Sequence, residues 1–205
     1  MTKTKSLNPQ KVILEFNKRA IKRKGIRKAL SNRFNLEFNK KFLDVCSQFI
    51  KKYLSKKMNN VADIGIGTGR LANLFSKNSR NIVGVDFSDK MLSVAHKHLD
   101  KKKNVTLIYN NAVEIDFLPK YFDLGIVSLM LKHNNNKHTG LIINKIKKWC
   151  KQVLLIEHVL GGTHGSHISI MRDESWYLKQ FKPMKPIIFE RFKRGKDNII
   201  LCILK

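Results

Sequence analysis

Apolar and polar positions follow two different rhythms along this chain, and the change comes near residue 60. Before it, Phe38, Phe42, Cys46, Phe49 and Tyr53 recur at three- and four-residue spacing with lysines between them, which predicts a helix over Arg33–Lys57. Lys11–Leu30 carries a more basic helical pattern, interrupted at Gly25. After Asn60, short apolar runs alternate with helical segments. "VADIGI" reads as a buried strand, "GRLANLFSK" as a helix and "NIVGVD" as a strand. "SDKMLSVAHKHL" reads as a helix started by Ser88. "NVTLIYN", a stretch of "YFDLGIVSLML" and "KQVLLIEHV" are further strands, with a helix in "HTGLIINKIKKWC". Strands and helices in alternation predict a parallel sheet with helices on both faces. The chain closes differently. "KPIIFERFK" and "NIILCILK", joined by "RGKD", predict an antiparallel hairpin.

At 205 residues and 42% hydrophobic content, the chain is long enough for one domain with a sizeable core and an appendage. The division expected is a basic helical arm or lid over residues 1–58 and an α/β domain over 59–205. No apolar run reaches the roughly 18 residues of a membrane helix, and Met1–Gln10 lacks the apolar centre of a secretory signal. The reading is a cytoplasmic protein. The basic, acid-poor first thirty residues leave organelle targeting as the alternative to a structural arm. Cys46, Cys150 and Cys202 stand apart, without metal-ligand spacing, and read as reduced core residues.

Charge changes the picture most. The formal net charge is +26. An AT-rich coding bias would raise Lys and Asn, but it would also favour Asp and Glu, which number only 15 against 41 basic residues. The acid deficit therefore reads as a requirement for positive charge, with RNA or another polyanion as the natural partner. Met1–Asn60 alone holds seventeen basic residues against Glu15, Glu37 and Asp44. Arg23, Lys24, Arg27 and Lys28 are the candidate phosphate contacts.

The candidate chemistry lies between the first strand and its helix, where Gly65, Gly67 and Gly69 alternate behind Asp63. Glycines at such a strand end admit positive φ and close approach of a ligand to the backbone. The dinucleotide fingerprint has its third glycine one position later; here Arg70 occupies that place. Asp86, in "GVDFS", stands at the next strand end, where a carboxylate accepts from both hydroxyls of a ribose.

Together these residues resemble the class I S-adenosylmethionine-dependent methyltransferases. The likeness rests on Asp63-Ile-Gly65-Ile-Gly67-Thr-Gly69, "GVDFS", "YNNAVEIDF" and "FDLGIVSLML", and covers roughly Asn60–Lys205. It implies a seven-stranded, mostly parallel sheet in the order 3-2-1-4-5-7-6, with strand 7 antiparallel and helices on both faces. It also implies S-adenosylmethionine as cofactor. Asp63 would help to hold the amino-acid end, Asp86 the ribose, and Phe87 would cover the adenine. Asn111 stands before Ala112 where the family commonly has an acid that accepts from the adenine amino group. Ser128 and Leu129 would close the pocket.

The acceptor is less defined. Methylases of exocyclic base amines carry an Asn/Asp-Pro-Pro-aromatic motif where this chain has Ser128-Leu-Met-Leu131. No Pro-Cys pair stands there for thiolate-assisted C5 methylation, and the Lys-Asp-Lys-Glu tetrad of ribose methylases is not assembled. His133, Glu157 and His158 are the candidate catalytic residues. His164, His167, Arg172 and Trp176 are candidate substrate contacts. Histidine is a suitable base near neutral pH, although methyl transfer needs a base only where the nucleophile must lose a proton. The histidines lack helical ligand spacing, and no metal is expected. The leading expectation is an RNA methyltransferase with a target such as guanine N7. The alternatives are a methyltransferase of small molecules or protein side chains, and a non-catalytic S-adenosylmethionine-binding subunit.

Overall fold

The computed structural model describes residues 8–22, 36–159, 168–194 and 197–205. Helix α1 spans Pro9–Lys22 and starts where the Asn8 side chain accepts the Gln10 amide at 2.9 Å. Helix α2 spans Leu36–Tyr53, shorter than its periodicity predicts. Leu54 closes the last turn on the Ile50 carbonyl and is itself buried, and residues 55–57 lead into a strand instead.

Seven strands follow. They are β1 (Met58–Ile64), β2 (Ser79–Asp86), β3 (Val105–Tyr109), β4 (Phe122–Ser128), β5 (Cys150–Val159), β6 (Pro186–Arg194) and β7 (Asp197–Leu204). They form one sheet in the order β3-β2-β1-β4-β5-β7-β6. β1 to β5 are parallel, and β7 runs antiparallel to both β5 and β6. This is the sheet that the sequence implies, closing hairpin included; turn residues 195–196 of that hairpin lie outside the described residues. Strand order reverses between β1 and β4, which opens a crevice beyond their carboxyl ends.

Helices α3 (Arg70–Phe75), α4 (Asp89–His98), α5 (Asn136–Trp149) and α6 (Glu174–Phe181) cover the faces. One core joins α2, α3 and α4 to the sheet through Phe42, Phe49, Leu71, Phe75 and Ala95. The other joins α5 and α6 through Ile142, Ile146, Trp149, Tyr177 and Phe181. Helix α2 is thus part of the domain core. Helix α1 stands apart from both cores and packs on α4, with Ala20 and Phe16 against Met91 and Val94.

Candidate active site

The carboxyl end of β1 runs into a turn in which Gly65, Gly67 and Gly69 all have positive φ, at 75°, 56° and 77°. At Gly65 a side chain is excluded twice over, by its φ and by Met130, whose Cβ lies 2.9 Å from where a Cβ would stand. The space beside Gly67 is open: the Gly65 carbonyl oxygen, 4.0 Å away, is the nearest atom a Cβ there would meet. The turn is tied to its neighbours on two sides. The Gly67 amide donates to Asp86 Oδ2 at 2.8 Å, and His98 Nδ1 donates to the Thr68 carbonyl at 2.8 Å.

Two carboxylates stand at this turn. Asp63 is buried. Desolvation raises it to about 7, against a hydrogen bond from the Ala72 amide that favours the charged form. Its Oδ2 is buried without a hydrogen-bond partner. Asp86 is also buried and raised to about 6 by desolvation, although it accepts from Gly67 and, through Oδ1, from the Ser88 amide at 2.9 Å. An unpartnered buried carboxylate oxygen costs free energy unless a donor meets it. Together with the open space at Gly67, it fits a ligand bearing an ammonium group and vicinal hydroxyls, as S-adenosylmethionine does.

Phe87, Asn111, His133, Asn134, Asn135 and His138 line a small open recess, together with Pro9, Val12 and Ile13 of α1. Asn111 Oδ1 accepts the Val113 amide at 3.0 Å, so one of its two lone-pair directions is taken by its own turn. Ala112 is buried behind it. Phe16 of α1 presents ring edges to Phe87 and to His133, with centroids 6.1 and 5.0 Å apart. Asn17 Oδ1 accepts the Ser88 hydroxyl at 2.6 Å. Phe16 and Asn17 were not among the sequence candidates. Helical spacing gives α1 an apolar face without saying which surface that face covers.

The segment after β4 turns sharply. Leu129 adopts φ 55°, uncommon for a side chain branched like leucine, and a 3₁₀ turn over Leu131–His133 follows. Glu157 is fully buried. Its Oε2 accepts the Leu131 and Lys132 amides at 3.0 and 3.4 Å, its Oε1 accepts the His158 amide at 3.0 Å, and Lys132 Nζ lies 3.9 Å away. Arg172 clamps the same segment from the other side, donating to the Leu131 and Asn134 carbonyls at 3.2 and 2.7 Å and to Asn136 Oδ1 at 2.9 Å.

These bonds correct several expectations. Glu157 is a clamp on the turn and has no oxygen aimed at an acceptor. Arg172 is a second clamp, 5% exposed, with the Trp176 ring under its guanidinium at 4.5 Å from centroid to Cζ, so Arg172 does not present itself to substrate. His158 is buried too, and as adjacent strand residues point to opposite faces its side chain diverges from Glu157. His133 does stand at the recess. Its Nδ1 donates to the Ile168 carbonyl at 2.9 Å, which leaves Nε2 as the acceptor nitrogen. Burial, with the charges of Lys132 and Arg19, lowers its pKa to about 3. It is neutral at physiological pH and a weak base. Arg23, Lys24, Arg27, Lys28, His164 and His167 lie outside the described residues.

Residues 61–152 match the family model described as "Methyltransferase domain". An rRNA adenine N-6-methyltransferase from Escherichia coli is 23% identical over 148 residues, covering 71% of this chain and 53% of that protein. A demethylmenaquinone methyltransferase from Staphylococcus aureus is 24% identical over 147 residues, covering 70% and 58%. The chain thus spans little more than half the length of these curated relatives. Among solved structures, a SAM-dependent methyltransferase from Leishmania major superposes with a TM-score of 0.80 at 13% identity, over 96% of this chain and 82% of that one. N-methyltransferase NodS from Bradyrhizobium japonicum gives 0.74 at 9% identity, over 95% and 98%. Sheet order, glycine turn and family match agree on one fold.

Proposed function

We propose that this chain, a class I S-adenosylmethionine-dependent methyltransferase, methylates RNA at a nitrogen that carries its own lone pair. When bound, S-adenosylmethionine supplies an electrophilic methyl group on its sulfonium. Asp63 would hold the cationic amino end, Asp86 the ribose hydroxyls, and Phe87 with the apolar face of α1 would cover the adenine. The chain's own task is then alignment, which lowers a barrier by roughly 7–11 kcal/mol where reactants are well oriented.

The observation that carries the RNA reading is charge: +26 over 205 residues, with seventeen cations against three acids in the first sixty. Relatives named as rRNA methyltransferases support it. An acceptor that needs no base is supported by His133, the imidazole at the recess, which burial makes a poor proton acceptor. A nucleophile that need not lose a proton, such as guanine N7, suits this site. The turn after β4, Ser128-Leu-Met-Leu131, offers no amide and no proline pair for an exocyclic amine.

A small-molecule acceptor is the second reading. It is favoured by the position of α1, whose Pro9, Val12 and Ile13 line the recess. The deciding experiment is transfer of tritiated methyl from labelled cofactor into total RNA, total protein and small-molecule fractions. RNA labelling confined to guanine N7 is the expected result. Label only in the small-molecule fraction overturns the RNA reading and leaves the cofactor assignment standing.

A further inference from the structure

The carboxyl ends of the strands hold the recess. The opposite end of the sheet carries a second chemistry. Lys56 and Lys57 precede β1, Lys77 and Arg80 flank the start of β2, and Lys101, Lys102 and Lys103 precede β3. These three strands are neighbours in the sheet, so at about 4.8 Å per strand the starts span roughly 10 Å. All seven cations except Lys102 are exposed, and none enters an ion pair among the described residues. Asp100 is the one acid in these three connections.

The β4 and β5 starts differ. There Lys148 pairs with Asp116 at 2.9 Å, Lys151 pairs with Asp123 at 2.8 Å, and Lys120 donates to the carbonyls of Lys147 and Cys150. Two of these three lysines meet carboxylates, whereas none of the seven cations on the other half does among the described residues.

The available half is also pre-built. Asn104 Nδ2 donates to the carbonyls of Ser76 and Ser79 at 2.9 and 2.8 Å, which ties the β3 connection to the β2 connection. The Met58 amide donates to the Asn78 carbonyl at 2.9 Å, and Asn81 Nδ2 to Asn60 Oδ1 at 3.1 Å, which ties β2 to β1. Cations on a knitted platform lose less conformational freedom on binding than cations on loose loops. Six of the seven follow the carboxyl ends of α2, α3 and α4, whose dipoles favour cations over about the last turn; Arg80 lies on a strand, outside that account.

We infer that this end of the sheet, around Lys57, Arg80 and Lys101–Lys103, is a docking face for the phosphate backbone of a nucleic acid, separate from the methyl-transfer end. Duplex RNA or DNA presents closely spaced phosphates, which matches a compact cluster of unpaired cations. A bilayer would also need apolar side chains to insert; Met58 and Leu99, beside these cations in the chain, are buried, and the exposed Leu118 and Tyr121 stand before β4, on the other half. The inference does not depend on which acceptor is methylated.

The test is a variant with Arg80→Gln, Lys101→Gln, Lys102→Gln and Lys103→Gln. Its affinity for a short labelled RNA duplex is measured by anisotropy across a salt series, with phosphatidylserine-containing vesicles as a parallel probe. The expected result is affinity at least tenfold weaker, with a log–log salt slope shallower by roughly 0.9 for each phosphate that the variant no longer neutralises. The variant's S-adenosylhomocysteine affinity should stay that of the parent, which certifies its fold and keeps this outcome apart from any failure of the active-site reading. Unchanged RNA affinity and slope would overturn the inference, as would loss of vesicle binding with RNA binding intact.

Discussion

Phe16 sets its ring edge against His133, with 5.0 Å between centroids and 83° between planes. One side chain of α1 thereby touches both walls of the recess, since it meets Phe87 in the same way at 84°. Asn17 fastens the next residue to Ser88, the N-cap of α4. Helix α1 is therefore seated on Phe87, Ser88 and His133, at the edge of the recess.

Removing that seat should loosen the bound cofactor. Aromatic pairs contribute about 0.5–1.5 kcal/mol each beyond area burial, so Phe16→Ala should weaken S-adenosylhomocysteine binding about tenfold, or about 1.4 kcal/mol. Stopped-flow displacement should place most of the change in the dissociation rate. Equal dissociation rates in both proteins would mean that α1 does not retain the cofactor.

Arg172 should matter to stability more than to substrate. Its guanidinium satisfies the Leu131 and Asn134 carbonyls and Asn136 from a buried position. Arg172→Met would remove three charge-assisted hydrogen bonds, at about 1.5–3 kcal/mol each, partly offset because the Thr139 hydroxyl also reaches the Leu131 and Asn134 carbonyls, for a net loss of about 2–4 kcal/mol. The melting temperature should fall by roughly 5–15 °C, taking about 2–4 °C per kcal/mol for a chain of this size. A melt within a degree or two of the parent, with a selective rise in acceptor KM, would return Arg172 to the substrate.

These two residues mark where the sequence was and was not legible. Strand and helix positions follow from local periodicity, and the glycine turn with Asp86 beside it from short motifs, so the sheet and this turn were readable. Ser88 as N-cap was readable for the same local reason, and the structure has its hydroxyl accepting the Met91 amide at 3.1 Å. Arg172 and Glu157 were misassigned because polar residues near a strand end look alike in sequence whether they face substrate or face inward. Only the long-range partners decide, and Arg172 lies 41 residues from Leu131. The contact of Phe16 crosses a still larger separation. The basic patch is a third case. Each of its lysines sits in an ordinary connection, and only the strand order brings them together.

His133 should leave no mark on the pH profile. With its pKa lowered to about 3 by burial and neighbouring positive charge, its protonation does not change between pH 5 and 8. Single-turnover methylation should lack a limb near the ordinary histidine pKa, and His133→Gln should keep the rate within about tenfold. A loss of about 10²–10⁴-fold, the usual contribution of a general base, would show that it takes a proton in the reaction.

Asp63 should leave a large one. Desolvation raises its folded-state pKa from 3.8 to about 7. Between those values the unfolded chain has lost the proton that the folded protein keeps, so stability falls as pH rises. The contribution is complete below pH 3.8 and is lost as pH climbs through about 7. Asp86, raised to about 6, acts in the same direction. Asp63→Asn removes the first of these without changing side-chain shape, so the variant should gain melting temperature over the parent at pH 8 and gain little at pH 5. Cofactor binding has the opposite sign. The ammonium end of S-adenosylhomocysteine favours ionised Asp63, so parent affinity should rise between pH 5.5 and 7.5, by up to about tenfold per unit for one linked proton. In Asp63→Asn that rise should shrink to whatever Asp86 contributes. Calorimetry in two buffers of different ionisation enthalpy would count the proton directly. If parent and variant release the same number of protons on binding, Asp63 does not meet the ammonium group, and its unpartnered oxygen needs another ligand.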